Sequence, residues 1–415
     1  MALLAKVGRF TTSTGTYSIT GVGFQPKVIL FYGNFEAADG ATAGEGWMYF
    51  GAATSASNRF YTGFATRSFV GNFSHRGYDE TEAYGLYDTH TGVYLSFDLV
   101  SFDPDGFTLS QTVTPATAKE VCYLALAGPT LQSVSTTGSG NVPNSQLNFT
   151  VTYGFIPDCT LMFSNMIVST ATSATDVESY MSIGAAAPML TTVVSQNTRL
   201  ISGYANNTNP TVDKTISRIA SLIDLGKVKS TLQMLAGAGQ FLSPTANTYR
   251  FSVDSDFTAF RYHYLALQGV KSRVLNFNQP VVGTPPFTTS YTGFGFQPTC
   301  LIFFTNSTAH SNTVKANLNL SFGATDGTSQ QHIYAGCFDA SGISNASAED
   351  LDSTRCLKMM TPAPTTPASA SISSLDSDGF TLTWHAIDAT ARTFMVLGLA
   401  EDLKQGAMPP LWGSP

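Results

Sequence analysis

Charge is what this chain has least of. Only 12% of its 415 residues are Asp, Glu, Lys or Arg, about half the share in an ordinary soluble domain. Lysine and arginine number 21 against 28 acids, a net charge of −7. They form no basic run, which argues against nucleic acid as the main partner, because phosphate binding takes clustered cations. Long apolar runs are also missing. None approaches the roughly 18 residues of a membrane-spanning helix, so no membrane insertion is expected. The opening stretch, Met1 to Arg9, places a short apolar run before positive charge, the reverse of a secretory signal.

Metal- and nucleophile-bearing patterns are equally scarce. The five cysteines, Cys122, Cys159, Cys300, Cys337 and Cys356, are odd in number and include no Cys-x-x-Cys, which excludes a disulfide framework and a zinc ribbon. The six histidines, His75, His90, His263, His310, His332 and His385, show no metal-ligand spacing, and His385 falls on the polar side of a strand pattern; solvated strand-face histidines are expected. There is no Gly-x-Ser-x-Gly elbow and no phosphate loop: Gly138-Ser-Gly140 and Gly237-Ala-Gly239 lack the following Lys-Ser/Thr. No recurring carboxylate pair of the kind a glycan hydrolase needs is present. The chain therefore reads as a non-enzyme with no cofactor and no metal.

What is there is repetition, the first thing to seek in a long chain. Gly21-Val-Gly-Phe-Gln-Pro26 returns as Gly293-Phe-Gly-Phe-Gln-Pro298 and, more weakly, as Tyr153-Gly-Phe-Ile-Pro157. An apolar run follows each: Val28–Tyr32, Cys159–Phe163 and Cys300–Phe304. A second block reads Met48-Tyr-Phe-Gly-Ala-Ala53, Met181-Ser-Ile-Gly-Ala-Ala186 and Leu320-Ser-Phe-Gly-Ala-Thr325. A third is Phe60–Phe64, Leu200–Tyr204 and Ile333–Cys337. The last is Tyr123–Gly128, Tyr264–Gly269 and Val396–Ala400. The shared Gly51, Gly184 and Gly323 lie 133 and 139 residues apart, the length of a whole domain. The boundaries fall at about 1–128, 129–270 and 271–402, followed by an extended C-terminal tail, 403–415.

Each copy reads as strands. Phe107–Val113 and Phe380–Trp384 alternate apolar and polar, the period of a half-buried strand, and follow Asp103-Pro-Asp-Gly106 and Asp376-Ser-Asp-Gly379, where Asp-Gly marks a hairpin turn. The closing run Val121–Leu126 is apolar on both faces, so its outer face has to be covered, by a neighbouring copy for example. Six to eight short strands per copy predict an all-β chain of three tandem β-sandwich or jelly-roll-like domains. One helix is predicted in the second copy, from Ile216, Ile219 and Ile223 at helical spacing with Asp213 and Gly226 as caps.

The repeat also says what single residues replace. Cys159 and Cys300 stand where the first copy has Val28, and Cys122 stands where the others have His263 and Met395, so the cysteines read as free, buried apolar side chains. The Asp-x-Asp-Gly segments lack the ligand number of a calcium loop, and the second copy replaces them with Ser243-Pro-Thr-Ala-Asn247, so they read as turns. Residues 66–92 diverge most between copies and carry Phe73, His75, Tyr78, Tyr84 and Tyr87. Two readings stay open for them: a recognition loop for a ligand such as host surface glycan, or packing against a neighbouring copy. In the tail, Leu411 and Trp412 stand near Pro409 and Pro410 with no core of their own and are candidate assembly contacts.

The ordered blocks resemble a repeat family found in proteins encoded by tailed bacteriophages: a Gly-x-Gly-Phe-x-Pro opening, an apolar-Gly-apolar middle such as Phe322–Thr328, then Asp378-Gly-Phe-Thr-Leu382, and a closing Tyr-Leu-Ala-Leu seen at Tyr123–Gly128 and Tyr264–Gly269. The third copy matches best; the second departs at its opening and lacks Asp-Gly-Phe-Thr-Leu. The resemblance implies a virion component made in the host cytoplasm, in the capsid decoration, tail or fibre, held by other virion proteins. Independently of it, so little charge predicts an oligomer or stable attachment. The alternative from a different class is a receptor-recognition protein using the aromatic segment.

Overall fold

The computed structural model describes residues 2–67, 73–88, 92–139, 148–152, 155, 157–165, 173–176, 178–187, 198–206, 214–219, 223–224, 238–245, 248–253, 261–308, 315–337, 347–361 and 365–402. The chain is all-β, and every strand pair among these residues is antiparallel. The first unit runs β1 (Leu4–Thr11), β2 (Thr16–Thr20), β3 (Val28–Gly33), β4 (Gly40–Ala43), β5 (Glu45–Ser55), β6 (Asn58–Arg67), β7 (Phe73–Asp79), β8 (Tyr84–Asp88), β9 (Gly92–Asp103), β10 (Gly106–Val113) and β11 (Glu120–Ala127). The second runs β12 (Gln132–Ser139), β13 (Asn148–Thr152), β14 (Cys159–Ser164), β15 (Ser173–Asp176), β16 (Glu178–Ala186), β17 (Thr198–Asn206), β18 (Lys214–Ile219), β19 (Ile223–Asp224), β20 (Ala238–Thr245), β21 (Thr248–Val253) and β22 (Arg261–Gln268). The third runs β23 (Val270–Asn278), β24 (Phe287–Thr292), β25 (Cys300–Thr305), β26 (Lys315–Ala316), β27 (Leu318–Thr325), β28 (Gln330–Cys337), β29 (Ser347–Asp352), β30 (Leu357–Met359), β31 (Ala368–Asp376), β32 (Gly379–Ala386) and β33 (Thr393–Glu401).

Strand order repeats with the sequence. Each unit is a sandwich of a seven-stranded and a four-stranded sheet. The first unit's sheets are ordered β1-β11-β3-β5-β6-β7-β15 and β2-β10-β9-β8, and the other two follow the same scheme. The seventh strand always comes from another unit. β15 of the second unit completes the first, β26 of the third completes the second, and β4 of the first completes the third. The donations close a ring.

The same period-2 rule explains the runs that are apolar on both faces. In β3, Val28, Leu30 and Tyr32 face one core while Ile29 and Phe31 face another; in β11, Cys122, Leu124 and Leu126 oppose Val121, Tyr123 and Ala125. The second set packs inside the first unit's own sandwich against β9 and β10. The first set enters one core common to all three units, which also holds Cys159, Leu161 and Phe163 of the second and Cys300, Ile302 and Phe304 of the third. Seven-stranded sheets covered on both faces need continuous apolar strands, whereas the outer strand β2 is alternately exposed and half-buried. At the centre Phe50 stacks on Phe163 at 4.7 Å and meets Phe322 edge-on at 4.8 Å, one ring from each unit.

The recurring Gly of the second sequence block has a steric reason. A Cβ on Gly51 would overlap the Ala83 carbonyl, and one on Gly323 the Cys356 carbonyl, where the outer layer's backbone crosses the inner sheet.

The helix expected over residues 213–226 is not formed. Ile216 and Ile219 belong to β18 and Ile223 to β19; Asp213 and Gly226 lie outside the described residues. β18 is bonded to β17 on one side and to β26 on the other, in the place that β7 and β29 take in their units. The ladder wins, and Thr215, Ile216 and Ile219 are β-branched residues that suit it.

Candidate functional site: the seams between units

The aromatic segment is not a loop. Residues 73–79 and 84–88 are strands β7 and β8. His75, Tyr78, Tyr84 and Tyr87 are each at most 5% exposed, so none of these four offers an aromatic face to a glycan. The side chain of Phe73 lies outside the described residues. His75 stacks on Tyr87 at 4.8 Å, Tyr84 on Phe97 at 5.4 Å, and Tyr78 packs 5.1 Å from His263 of the second unit. Of these four, Tyr78 packs against a neighbouring copy, while His75, Tyr84 and Tyr87 pack within the first unit. Burial lowers the His75 pKa to about 4. Histidines on a solvated strand face were expected; His385 is one, exposed and bonded to Ser371 at 2.8 Å. His75, His263 and His332 are instead buried: His263 meets Phe60 and Tyr78 of the first unit, while His75 lies on Tyr87 and His332 beside Asp350 within their own units.

An asparagine recurs at one position of each unit, and in the first two units it ties the seam to a neighbour, which the sequence reading missed. Asn34, Asn165 and Asn306 each stand six residues after the first residue of β3, β14 and β25. Asn165 donates across the seam to the carbonyls of Gly63 (3.2 Å) and Gly77 (2.7 Å) in the first unit. Asn34 donates to the carbonyl of Asp350 in the third at 2.7 Å. Asn306, buried at the same position, instead accepts from Thr308 of its own unit and, among the described residues, makes no bond across the seam. The signal was a constant Asn offset, hidden among a chain rich in asparagine.

Among the described residues, the seam between the first and third units carries a dense cluster of charge. Glu349 on β29 accepts hydrogen bonds from the backbone N–H of Phe35 (3.3 Å) and of Trp47 (3.2 Å). Its burial, with Glu36 and Glu45 nearby, pushes its pKa well up. Lys119 reaches in over the Phe35 ring at 3.5 Å. Beside it, Lys358 bridges Asp350 (2.7 Å) and Asp352 (3.1 Å), and Asp350 stands 3.6 Å from the ring of His332. Burial lowers the pKa of that imidazole against the opposing pull of Asp350. Asp39 on the first unit bonds Ser353 and Arg9. Asp39, Gly40, Asp350, Asp352, Thr354 and Lys358 line a cleft of about 300 Å³. Lys358 pairs with the two acids of its own unit, and Asp39 reaches across the seam to Ser353. Among the described residues no group of three or more His, Cys, Asp or Glu is placed to hold a metal.

The two recurring turn motifs turn out to be partners. Asp105 accepts from the N–H groups of Gly21 (3.0 Å) and Gly23 (2.7 Å), while Gln25 donates back to the Phe102 carbonyl at 2.7 Å. The third unit repeats this with Asp378, Gly293, Gly295, Gln297 and the Leu375 carbonyl. Both carboxylate oxygens are thus held by amides, as the turn reading requires. Gly106, at φ 153°, lies against the Ile19 carbonyl where a Cβ would not fit. All five cysteines are free and buried, and burial raises the thiol pKa of Cys122, Cys159, Cys300 and Cys356, as suits inert apolar side chains. Leu411 and Trp412 lie outside the described residues.

No family model and no curated protein matches the chain. Two solved structures of OmpT, an outer membrane protein of Vibrio cholerae, one in trimer form, align over 95% of this chain and 99% and 98% of theirs. Identities of 9% and 8% with TM-scores of 0.11 and 0.10 carry no argument about fold or function. No helix among the described residues is long and apolar enough to cross a membrane.

Proposed function

We propose that this chain is a structural component of a phage virion, a capsid decoration, tail or fibre protein that acts through protein–protein contacts and not as an enzyme. The observation that carries the reading is architectural. Three sandwiches in one chain are tied by donated strands into a ring around one apolar core, and the charged groups at the seam of the first and third units are used to hold that ring. Such a body supplies a rigid block with three related outer faces. The internal repeat and its resemblance to bacteriophage-encoded repeats point the same way. The carbohydrate-recognition alternative draws no support from His75, Tyr78, Tyr84 and Tyr87, which are inside the protein.

Purified particles from cells expressing the chain at its natural level test this. Mass spectrometry should find it at stoichiometric copy number, and imaging of particles carrying a tagged copy should place it on the head, tail or fibre. Its absence from purified particles overturns the reading. Deletion of residues 408–415, which removes Leu411 and Trp412, should weaken incorporation while leaving the three units folded.

A further inference from the structure

From the outer sheets we infer a self-association surface: the edge strands β2, β13 and β24 pair antiparallel with the same strands of a second copy of this chain. Each is the free edge of a four-stranded sheet. An open edge is a template for another strand, and proteins usually block it with charge, proline or cover. Two of the three equivalent edges of the seven-stranded sheets follow that rule, while β12, Gln132–Ser139, carries neither charge nor proline. β1 carries Lys6 and Arg9 and its Val7 N–H is capped by Asp326 at 2.8 Å, and β23 carries Lys271 and Arg273. The outer edges do not follow it. Thr16-Tyr-Ser-Ile-Thr20, Asn148-Phe-Thr-Val-Thr152 and Phe287-Thr-Thr-Ser-Tyr-Thr292 hold no charge, no proline and no glycine.

Their pattern selects the occupant. A contact between identical surfaces has to be self-complementary, and β2 is so about Ser18. Antiparallel pairing centred there sets Thr16 against Thr20 of the other copy and Tyr17 against Ile19, hydroxyl on hydroxyl and apolar on apolar. β13 has the same symmetry about Thr150, with Phe149 against Val151. In β24, centring on Ser290 sets Thr288 against Thr292. Thr16, Ser18, Thr20, Thr288, Ser290 and Thr292 are all exposed, whereas Tyr17 and Ile19 lean on the sandwich core. The chain already uses this bond internally, since β4, β15 and β26 each complete another unit's sheet. With three such edges, association does not stop at a dimer. The inference concerns the chain alone and stands or falls apart from the virion reading.

Charge reversal tests it. One variant carries Lys at positions 16, 20, 148, 152, 288 and 292 (Thr16→Lys, Thr20→Lys, Asn148→Lys, Thr152→Lys, Thr288→Lys, Thr292→Lys), and a second carries Glu at the same six. Pairing then sets like charges opposite each other, weakening each contact by up to roughly fivefold per like pair. Sedimentation of the full chain at low salt should show concentration-dependent association beyond the dimer. The Lys and Glu variants should each run as monomers with unchanged circular dichroism, and a 1:1 mixture of the two should associate again. A milder pair, Thr16→Lys with Thr20→Lys, should lower the association order if six changes disturb folding. A wild-type chain that stays monomeric at high concentration overturns the inference. So does a folded charge variant that associates like wild type, or a mixture that stays apart.

Discussion

Truncating Phe50 to Ala measures whether the three units are one cooperative body. The side chain is fully buried where the units meet, 4.7 Å from the ring of Phe163 and 4.8 Å from that of Phe322. Removing a buried Phe costs about 3–5 kcal/mol through lost transfer energy and the cavity left behind. The loss of two ring pairs places this site at the upper end. If the common core couples all 415 residues into one transition, the large unfolding entropy dilutes that cost to a Tm shift of roughly 4–6 °C. If the first unit unfolds alone, the same cost falls on a third of the chain and its Tm drops by roughly 10–17 °C. Calorimetry should show a single endotherm moved by the smaller amount, with van't Hoff and calorimetric enthalpies agreeing. Phe107→Ala, a truncation inside the first unit's own sandwich, is the comparison and should behave likewise. Separate endotherms, with only one of them moved, would refute the shared core as the cooperative unit.

The seam predicts a pH effect with a definite sign. Burial raises the Glu349 pKa in the folded chain, so its contribution is fully present below the unfolded-state value and is lost as pH rises through the folded one. Glu349→Gln, which keeps an oxygen for the Phe35 and Trp47 amides, should flatten that decline in urea midpoints; an unchanged slope would remove Glu349 as the cause. Asn165→Ala strips the partner from two buried carbonyls and should cost about 1–3 kcal/mol in chemical denaturation, and a neutral result would mean the lock contributes nothing. Ellman's reagent should find no reactive thiol in the folded chain and five in denaturant, and a lower denatured count would reveal a disulfide.

The local pattern of this chain was legible from the residues alone. Period-2 alternation, turn residues and four blocks in fixed order are short-range properties, so they announced an all-β chain with a triple repeat and buried free cysteines. The doubly apolar runs even required a second covering surface. What covers them, and what the exceptions mean, was decided by tertiary structure. Ile216 and Ile219 have helical spacing, but a position between β17 and β26 offers each backbone group a ladder partner, and that outweighs a weak helical preference. The aromatics of residues 73–87 look like a recognition loop because they vary between copies. In the fold Tyr84 and Tyr87 fill the first unit's own sandwich and Tyr78 meets His263 of the second, and a residue string carries no record of which strand will lie across it. The asparagine locks and the cluster of Glu349, Asp350 and His332 stayed hidden for the same reason. Asp350 and His332 meet across the paired strands β29 and β28 of one unit. The partners of Asn34, Asn165 and Glu349 sit in another unit, 88 or more residues away, and only the closing of the ring brings them within hydrogen-bond reach.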